Sequence, residues 1–305
     1  MTWASMSPIP PHNTSDNARM GLIAGITAYT FWGAFPIYFK LTEEASALEI
    51  LAHRIVWSLP FAIVIILLRR QWGELMRAIK IPKLVGLLTL AAAALSVNWG
   101  VYIWAVQNEQ IFQGSLGYFI NPLMFVVVGL VFFKEKLTKF QAIAILMALI
   151  GVAILTIYGG VFPYISLILA ASFGLYGVIR KQVDVGAIPG LAIETAVMFI
   201  PAAVFLFILY SQGGLVFGSA PKITGLLLLA GPVTVLPLWA FAIAARNLKL
   251  STLGMLQYIG PTGQFILALY YGESFTAAHA WCFGFIWLGI IIYSVDAYRL
   301  REKRG

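Results

Sequence analysis

Apolar residues run along this chain in long blocks separated by short polar stretches, and within a block apolar and polar positions do not alternate. A membrane-spanning helix needs about 20 mostly apolar residues. Ten blocks meet that length: residues 20–40, 47–68, 84–106, 112–133, 140–158, 162–180, 189–210, 223–245, 250–271 and 277–298. The joins at 158–162, 246–250 and 272–276 are short, which makes the helices on either side antiparallel neighbours. A transmembrane β-barrel would need strands of about 10 residues that alternate apolar and polar, and these blocks are too long and too uniform for that. The pattern predicts an all-α polytopic membrane protein with ten transmembrane helices. Residues 1–19, "MTWASMSPIPPHNTSDNAR", form a polar tail without the charged start, apolar core and cleavage site of a signal peptide. They read as a disordered cytoplasmic tail, and residues 299–305 as a short basic one.

The block "SLGYFINPLMFVVVGLVFF" carries a proline, Pro122, near its centre. Proline has no N–H for the carbonyl four residues back, here that of Tyr118. No water replaces that bond in hydrocarbon, so such a break is tolerated only inside protein or beside a polar cavity.

Charge sharpens the topology. Lys and Arg are retained on the cytoplasmic side. Of the 20 basic residues, 17 lie in the two tails and the even-numbered connections, only Lys40 and Lys222 lie in the odd-numbered ones, and Arg54 lies within a block. That split supports ten spans with both termini cytoplasmic. It also accounts for the net charge of +8 without a nucleic-acid partner. The composition agrees: 61% of residues are hydrophobic and 10% charged, against about 25% charged in soluble domains. The single cysteine, Cys282, rules out an intramolecular disulfide and any paired-cysteine metal motif.

The chain also echoes itself. "FINP" at 119–122 matches "YIGP" at 258–261, Ala105 and Asn108 match Ala244 and Asn247, and Glu135 in "FFKEKL" matches Glu273 in "YYGESF". "AHRIVWSLP" at 52–60 falls against "IETAVMFIP" at 193–201. The order of the matches is preserved, which predicts two five-helix repeats, 20–158 and 162–298. Five is odd, so the second copy enters the membrane from the opposite face. Inverted repeats of this kind recur in transporters, with the substrate site near the midplane where the halves meet.

Several stretches resemble the RarD group of the EamA-type drug/metabolite transporters: "FWGAFPIYFK" (31–40), "EILAHRIVWS" (49–58), "NWGVYIWAVQN" (98–108), "SLGYFINPL" (115–123), "YGVIRK" (176–181), "IET" (193–195) and "STLGMLQYIGPT" (251–262). The resemblance implies a ten-helix carrier of the bacterial inner membrane, and export as its direction.

Candidate site residues follow from cost. Arg54 is a basic residue inside a span, where a charge costs at least about 2.5 kcal/mol and faces a bundle interior or water. It reads either as the receptor for an anionic or carboxylate substrate, whose planar acid suits the guanidinium fork, or as a structural salt bridge, with Glu49 as a nearby partner. His53, about 100° round the helix from Arg54, reads as a proton relay or a buried structural histidine. Glu194, which takes the place of His53 in the second repeat, reads as a proton-coupling group, a site for a substrate amine, or a polar contact between helices. Trp32, Trp99, Tyr118, Tyr176 and Tyr258 could line an amphipathic cavity or simply pack. Asn98, Asn121 and Gln257 supply polar lining, beside Pro122 and its repeat mate Pro261. Glu135, Glu273 and Asp296 sit near span ends, where caps and local ion pairs suffice. Gly21 and Gly25 form a small-xxx-small pair for close helix approach.

No GxxxxGK[ST] motif for ATP occurs, and the three histidines are too scattered for a metal or catalytic cluster. No cofactor is implied. The leading expectation is a secondary carrier working by alternating access, with a small-molecule substrate and the lipid bilayer as partners. A channel, a non-transporting scaffold and a membrane enzyme are the alternatives, and oligomeric state is left open.

Overall fold

The computed structural model describes residues 14–133, 138–248 and 250–302. Among these every regular element is a helix: α1 (Thr14–Gly33), α2 (Phe35–Leu41), α3 (Ala47–Leu68), α4 (Trp72–Ile79), α5 (Pro82–Gln107), α6 (Ile111–Phe133), α7 (Lys139–Ile157), α8 (Tyr164–Lys181), α9 (Ala187–Ser211), α10 (Pro221–Leu228), α11 (Ala230–Asn247), α12 (Leu250–Leu256), α13 (Ile259–Tyr270) and α14 (Ala277–Glu302). Seven described stretches are long and apolar enough to cross a membrane: Asn17–Leu41, Ala47–Leu68, Pro82–Gln107, Lys139–Ile157, Ala187–Ser211, Pro221–Asn247 and Ala277–Val295. Helix α8 supplies a shorter apolar segment, Tyr164–Arg180. The first helix starts at Thr14, ahead of the expected residue 20; the rest of the N-terminal tail, Glu135 and the side chain of Asp296 fall outside the described residues and side chains.

Three expected spans are interrupted. The first breaks at Ala34 between α1 and α2. Pro36 has no N–H for the carbonyl of Trp32, and Gln264 Nε2 donates to that carbonyl instead, at 3.2 Å. The eighth breaks at Leu229, and the ninth at Gln257–Tyr258, just before Pro261. Helix α6, by contrast, runs through Pro122 without interruption. A fixed φ near −65° is a helical value, so proline removes a bond there without forcing the backbone out of helix. The break expected at Pro122 is therefore a missing hydrogen bond inside a continuous helix.

Helix α7 packs along α14, α1 along α11, α3 along α9, and α8 along both α5 and α6; α3 also meets α11, α5 meets α9, and α13 lies against α6 and α1. Small residues set the closest crossings. A Cβ on Gly117 of α6 would stand 2.8 Å from the carbonyl oxygen of Ser166 in α8. One on Gly151 of α7 would stand 2.8 Å from the carbonyl oxygen of Cys282 in α14. Gly25 packs its bare Cα face against Leu256 and Ala244, and Gly21 against Asn247, the close approach expected of a small-xxx-small pair.

The two ends of the bundle differ. At one end Arg69, Arg246 and the N-terminus of α9 gather, and Glu74 of the short helix α4 accepts from the N–H of Gly186 at 2.6 Å. At the other end polar bonds join the first half of the chain to the second. Tyr38 Oη donates to Leu226 O at 2.9 Å. Glu49 Oε1 accepts from the N–H groups of Val216 and Phe217 at 2.9 and 3.0 Å. The Glu273 carboxylate accepts from Ile111 N and Phe112 N at 2.6 and 2.9 Å, which makes it the N-terminal cap of α6.

Candidate functional site

Arg54 sits on the second turn of α3 with 2% of its surface exposed. Its Nε donates to Thr234 Oγ1 of α11 at 3.0 Å, and Thr234 in turn donates to the carbonyl of Ala230. The guanidinium lies over the Trp99 ring at 4.2 Å and near the rings of Phe35 and Phe39 at 5.4 and 5.5 Å. Ring quadrupoles attract a desolvated cation by about 2 kcal/mol or more, which offsets part of the cost of burial. No carboxylate within ion-pair distance of Arg54 occurs among the described residues. Glu49, the partner expected from sequence, instead holds the 216–217 backbone, and its Oε1 lies 3.9 Å from His53 Nε2. Beside Arg54, the buried hydroxyl of Tyr102 has no hydrogen-bond partner.

Asn98 fixes the wall next to this cage. Its Nδ2 donates to Leu169 O at 2.9 Å and to Ser172 Oγ at 3.1 Å, and its Oδ1 accepts from Tyr118 Oη at 3.0 Å. One amide thus joins α5, α6 and α8. Tyr118 meets Tyr102 edge-on at 5.4 Å and Phe173 at 6.3 Å, and Phe173 leads to Tyr176 at 6.0 Å. Arg54, Asn98, Trp99, Tyr118 and Tyr176 therefore form one connected set.

The other expected residues fall into separate groups. Trp32 packs with Tyr29 and Phe241, at 5.2 and 5.7 Å. Tyr258 stacks on Phe119 at 6.3 Å, and Ser115 Oγ donates to Pro261 O at 2.8 Å, so the "GYFINP" and "LQYIGP" segments lie against one another directly. Pro122 is buried, Gln257 half-buried, and the buried Asn121 Oδ1 has no hydrogen-bond partner. His53 turns away from Arg54: Trp57 Nε1 donates to its Nδ1 at 3.1 Å and its ring stacks on Phe217 at 4.7 Å. Glu194, 2% exposed, lies toward the opposite end, with Oε1 3.5 Å from Arg180 Nη1 and the Tyr176 hydroxyl as its other polar neighbour. The absence of a side chain on Gly190 makes room for that guanidinium. A cavity of about 230 Å³, lined by Arg69, Gln71, Ile188, Trp239, Phe241 and Arg246, opens at this same end.

Sequence reasoning passed over Thr234, Phe35, Phe39 and Tyr102, because one hydroxyl or ring among many apolar neighbours carries no local signal. From sequence, Arg180 is one of the basic residues of an even-numbered connection and carries no other signal.

Residues 19–157 match the model of the EamA-like transporter family. An uncharacterized transporter of Vibrio cholerae is 43% identical over 93% of this chain and 94% of its own length. The Protein RarD of Streptomyces exfoliatus is 42% identical over 93% of this chain and 91% of its own length. One crystal structure of a protein superposes with a TM-score of 0.61 at 18% identity, covering 92% of this chain and 97% of that one, which is a likeness of fold. With a helical membrane fold and near full-length likeness to proteins named as transporters, the chain belongs to the EamA-like transporter family and, within it, to the RarD group.

Proposed function

We propose that the protein is a ten-span secondary carrier of two inverted five-helix repeats that exports a small organic carboxylate by alternating access, with Arg54 as the anion receptor. The observation that carries the substrate class is the uncompensated guanidinium: Arg54 is buried, held at Nε by Thr234, faced by Trp99, and without an acidic partner among the described residues. A buried charge of this kind is tolerable where a ligand completes it, and the adjacent rings suit a flat organic acid. The helix packing supports the inverted repeat. Exchanging the first five expected spans for the last five turns the α1–α11 contact into α8–α5, α13–α1 into α6–α8, and α3–α11 into α9–α5, and all of these contacts occur. Placing the Arg69–Arg246 end in the cytoplasm agrees with the distribution of basic residues. The half-to-half bonds at the Glu49 end then fit a latch between the two repeats on the outer side.

The test is a panel of organic acids, amines and neutral analogues scored by thermal unfolding of the purified protein. A ligand of the folded state stabilises it by about 2.7 kcal/mol at 100 times its Kd. Carboxylates are expected to raise the melting temperature of the wild type and to lose that effect in Arg54→Gln. Hits confined to amines, or carboxylate hits that stabilise Arg54→Gln equally, contradict the assignment. Saturable counterflow of a hit in proteoliposomes then separates a carrier from a pore.

A further inference from the structure

We propose that the cavity between the ends of α3 and α11 and the start of α9 binds the phosphate head group of an anionic phospholipid. Its place in the cytoplasmic leaflet rests on the orientation proposed above; the chemistry of the cavity does not.

Three helix ends build the cavity. Arg69 is the C-cap of α3, Arg246 lies in the last turn of α11, and Gly186 is the N-cap of α9. A guanidinium near a helix C-terminus is favoured by the helix dipole, which accounts for each arginine separately. It does not account for two of them bordering one cavity. Neither forms an ion pair among the described residues. Trp239 of α11 lines the same cavity, and its buried Nε1 has no hydrogen-bond partner. Indole and guanidinium are donors only, and Gln71 adds an amide that can donate as well. No carboxylate is among the described lining residues.

The acid that reaches this lining is Glu74, whose Oε1 accepts from Gly186 N at 2.6 Å. It occupies the N–H of the α9 N-cap, so an anion in the cavity rests on side chains and not on that helix end. Arg180, which donates to Gly186 O at 3.3 Å, is paired with Glu194. Asp184 is exposed to solvent. Two unpaired guanidinium groups thus stand against the one carboxylate in contact with the lining.

Size and position select the ligand. A volume of about 230 Å³ has room for several waters, each of which takes about 30 Å³ in the liquid. It is below the roughly 300–1,000 Å³ of pockets that enclose a drug-sized molecule. It suits the head of a ligand whose bulk stays outside. The flank is apolar: Leu68, next to Arg69, is 77% exposed, and Trp72, next to Gln71, is exposed at the start of α4. Tryptophan marks the membrane–water interface, the depth at which phospholipid phosphates lie. Arginine forks match phosphate oxygens, and basic pockets between membrane helices on the cytoplasmic side bind anionic lipid heads. A soluble anion would use the arginines and leave the apolar flank bare.

The experiment is native mass spectrometry of the delipidated full chain in detergent micelles, titrated with phosphatidylglycerol, phosphatidylcholine or glycerol 3-phosphate. Each arginine is expected to contribute about fivefold, so the first phosphatidylglycerol binds about 25-fold more tightly than the first phosphatidylcholine. Arg69→Gln and Arg246→Gln each lose about fivefold, and the double variant brings the two lipids level. Glu74→Gln keeps an acceptor for Gly186 N, drops the opposing charge and binds phosphatidylglycerol more tightly. Arg70→Gly removes a neighbouring charge that does not line the cavity. Arg70 has a φ of 54°, which glycine adopts without strain, so this variant keeps both the fold and the lipid preference. Equal affinity of the wild type for the two lipids overturns the proposal. So does a loss in Arg70→Gly as large as in Arg69→Gln, the mark of a diffuse surface charge. Displacement of the lipid by glycerol 3-phosphate at equal concentration also overturns it and gives the cavity to a soluble anion. Micelles have no sidedness and no organic acid is added, so failure here is distinct from failure of the orientation or of the Arg54 assignment.

Discussion

At the scale of single residues, the strongest structural demand falls on Asn98. Its amide engages a backbone carbonyl of α8, a serine of the same helix and a tyrosine of α6. Asn98→Ala strands the Tyr118 hydroxyl, at about 1–3 kcal/mol for an orphaned group, while the Leu169 carbonyl keeps Ser172 Oγ at 3.2 Å. Ser172→Ala removes one weaker contact and leaves the rest in place. Thermal unfolding should therefore show a clear drop for the first variant and a small one for the second. Glu273 makes a pH prediction outside the membrane helices. Burial raises its carboxyl pKa, against the opposing effects of the Phe112 and Ile111 N–H groups and Lys40. A carboxyl that holds its proton more tightly folded than unfolded contributes most below the ordinary glutamate range, and that contribution is lost as pH rises through the raised value. Glu273→Gln should flatten this part of the melting-temperature profile, and an unchanged slope would contradict the assignment. Arg54 was legible as a buried charge because a charge inside an apolar block announces its own cost. Its real partners were not legible: Thr234 and the ring cage come from α11, α2 and α5, and no local pattern links them.

At the scale of helices, apolar block length located the long apolar helices but not their interruptions. The breaks at Ala34, Leu229 and Gln257–Tyr258 depend on what neighbouring helices offer to freed backbone groups, as Gln264 does for the Trp32 carbonyl. Pro122 and Pro261 look alike in sequence, yet one stays inside a helix and the other follows a gap. Helix α4 was missed because eight residues with two buried apolar side chains fall below any spanning pattern. Glycine, uninformative by itself, decides how near the helices come. Gly117→Ala drives a methyl against the Ser166 backbone, which cannot swing aside as a side chain can. Overpacking of this type costs about 1–3 kcal/mol, and unfolding of this variant should show it. Alanine at Gly86, which meets nothing, should cost no stability and should gain up to about 1 kcal/mol from helix propensity.

For the whole molecule, charge counting leads to the proposed orientation, because basic residues are held back on one side of the membrane, and the internal echoes lead to the proposed repeat, in which a duplicated helix order would reproduce its neighbours. What stayed hidden was how the ends are closed, since Glu49, Tyr38 and Glu273 bond to backbone groups that any sequence possesses. Cytoplasmic reporters fused at either terminus should both be active if the proposed ten-span orientation holds, and opposite results would remove an odd number of spans. The crossing of α7 and α14 has a practical side. Gly151 lets α7 close over the backbone of Cys282, whose own surface is fully covered. A maleimide added to the intact protein should find nothing to modify, so the natural chain already serves as a silent background into which single reporter cysteines can be placed one at a time.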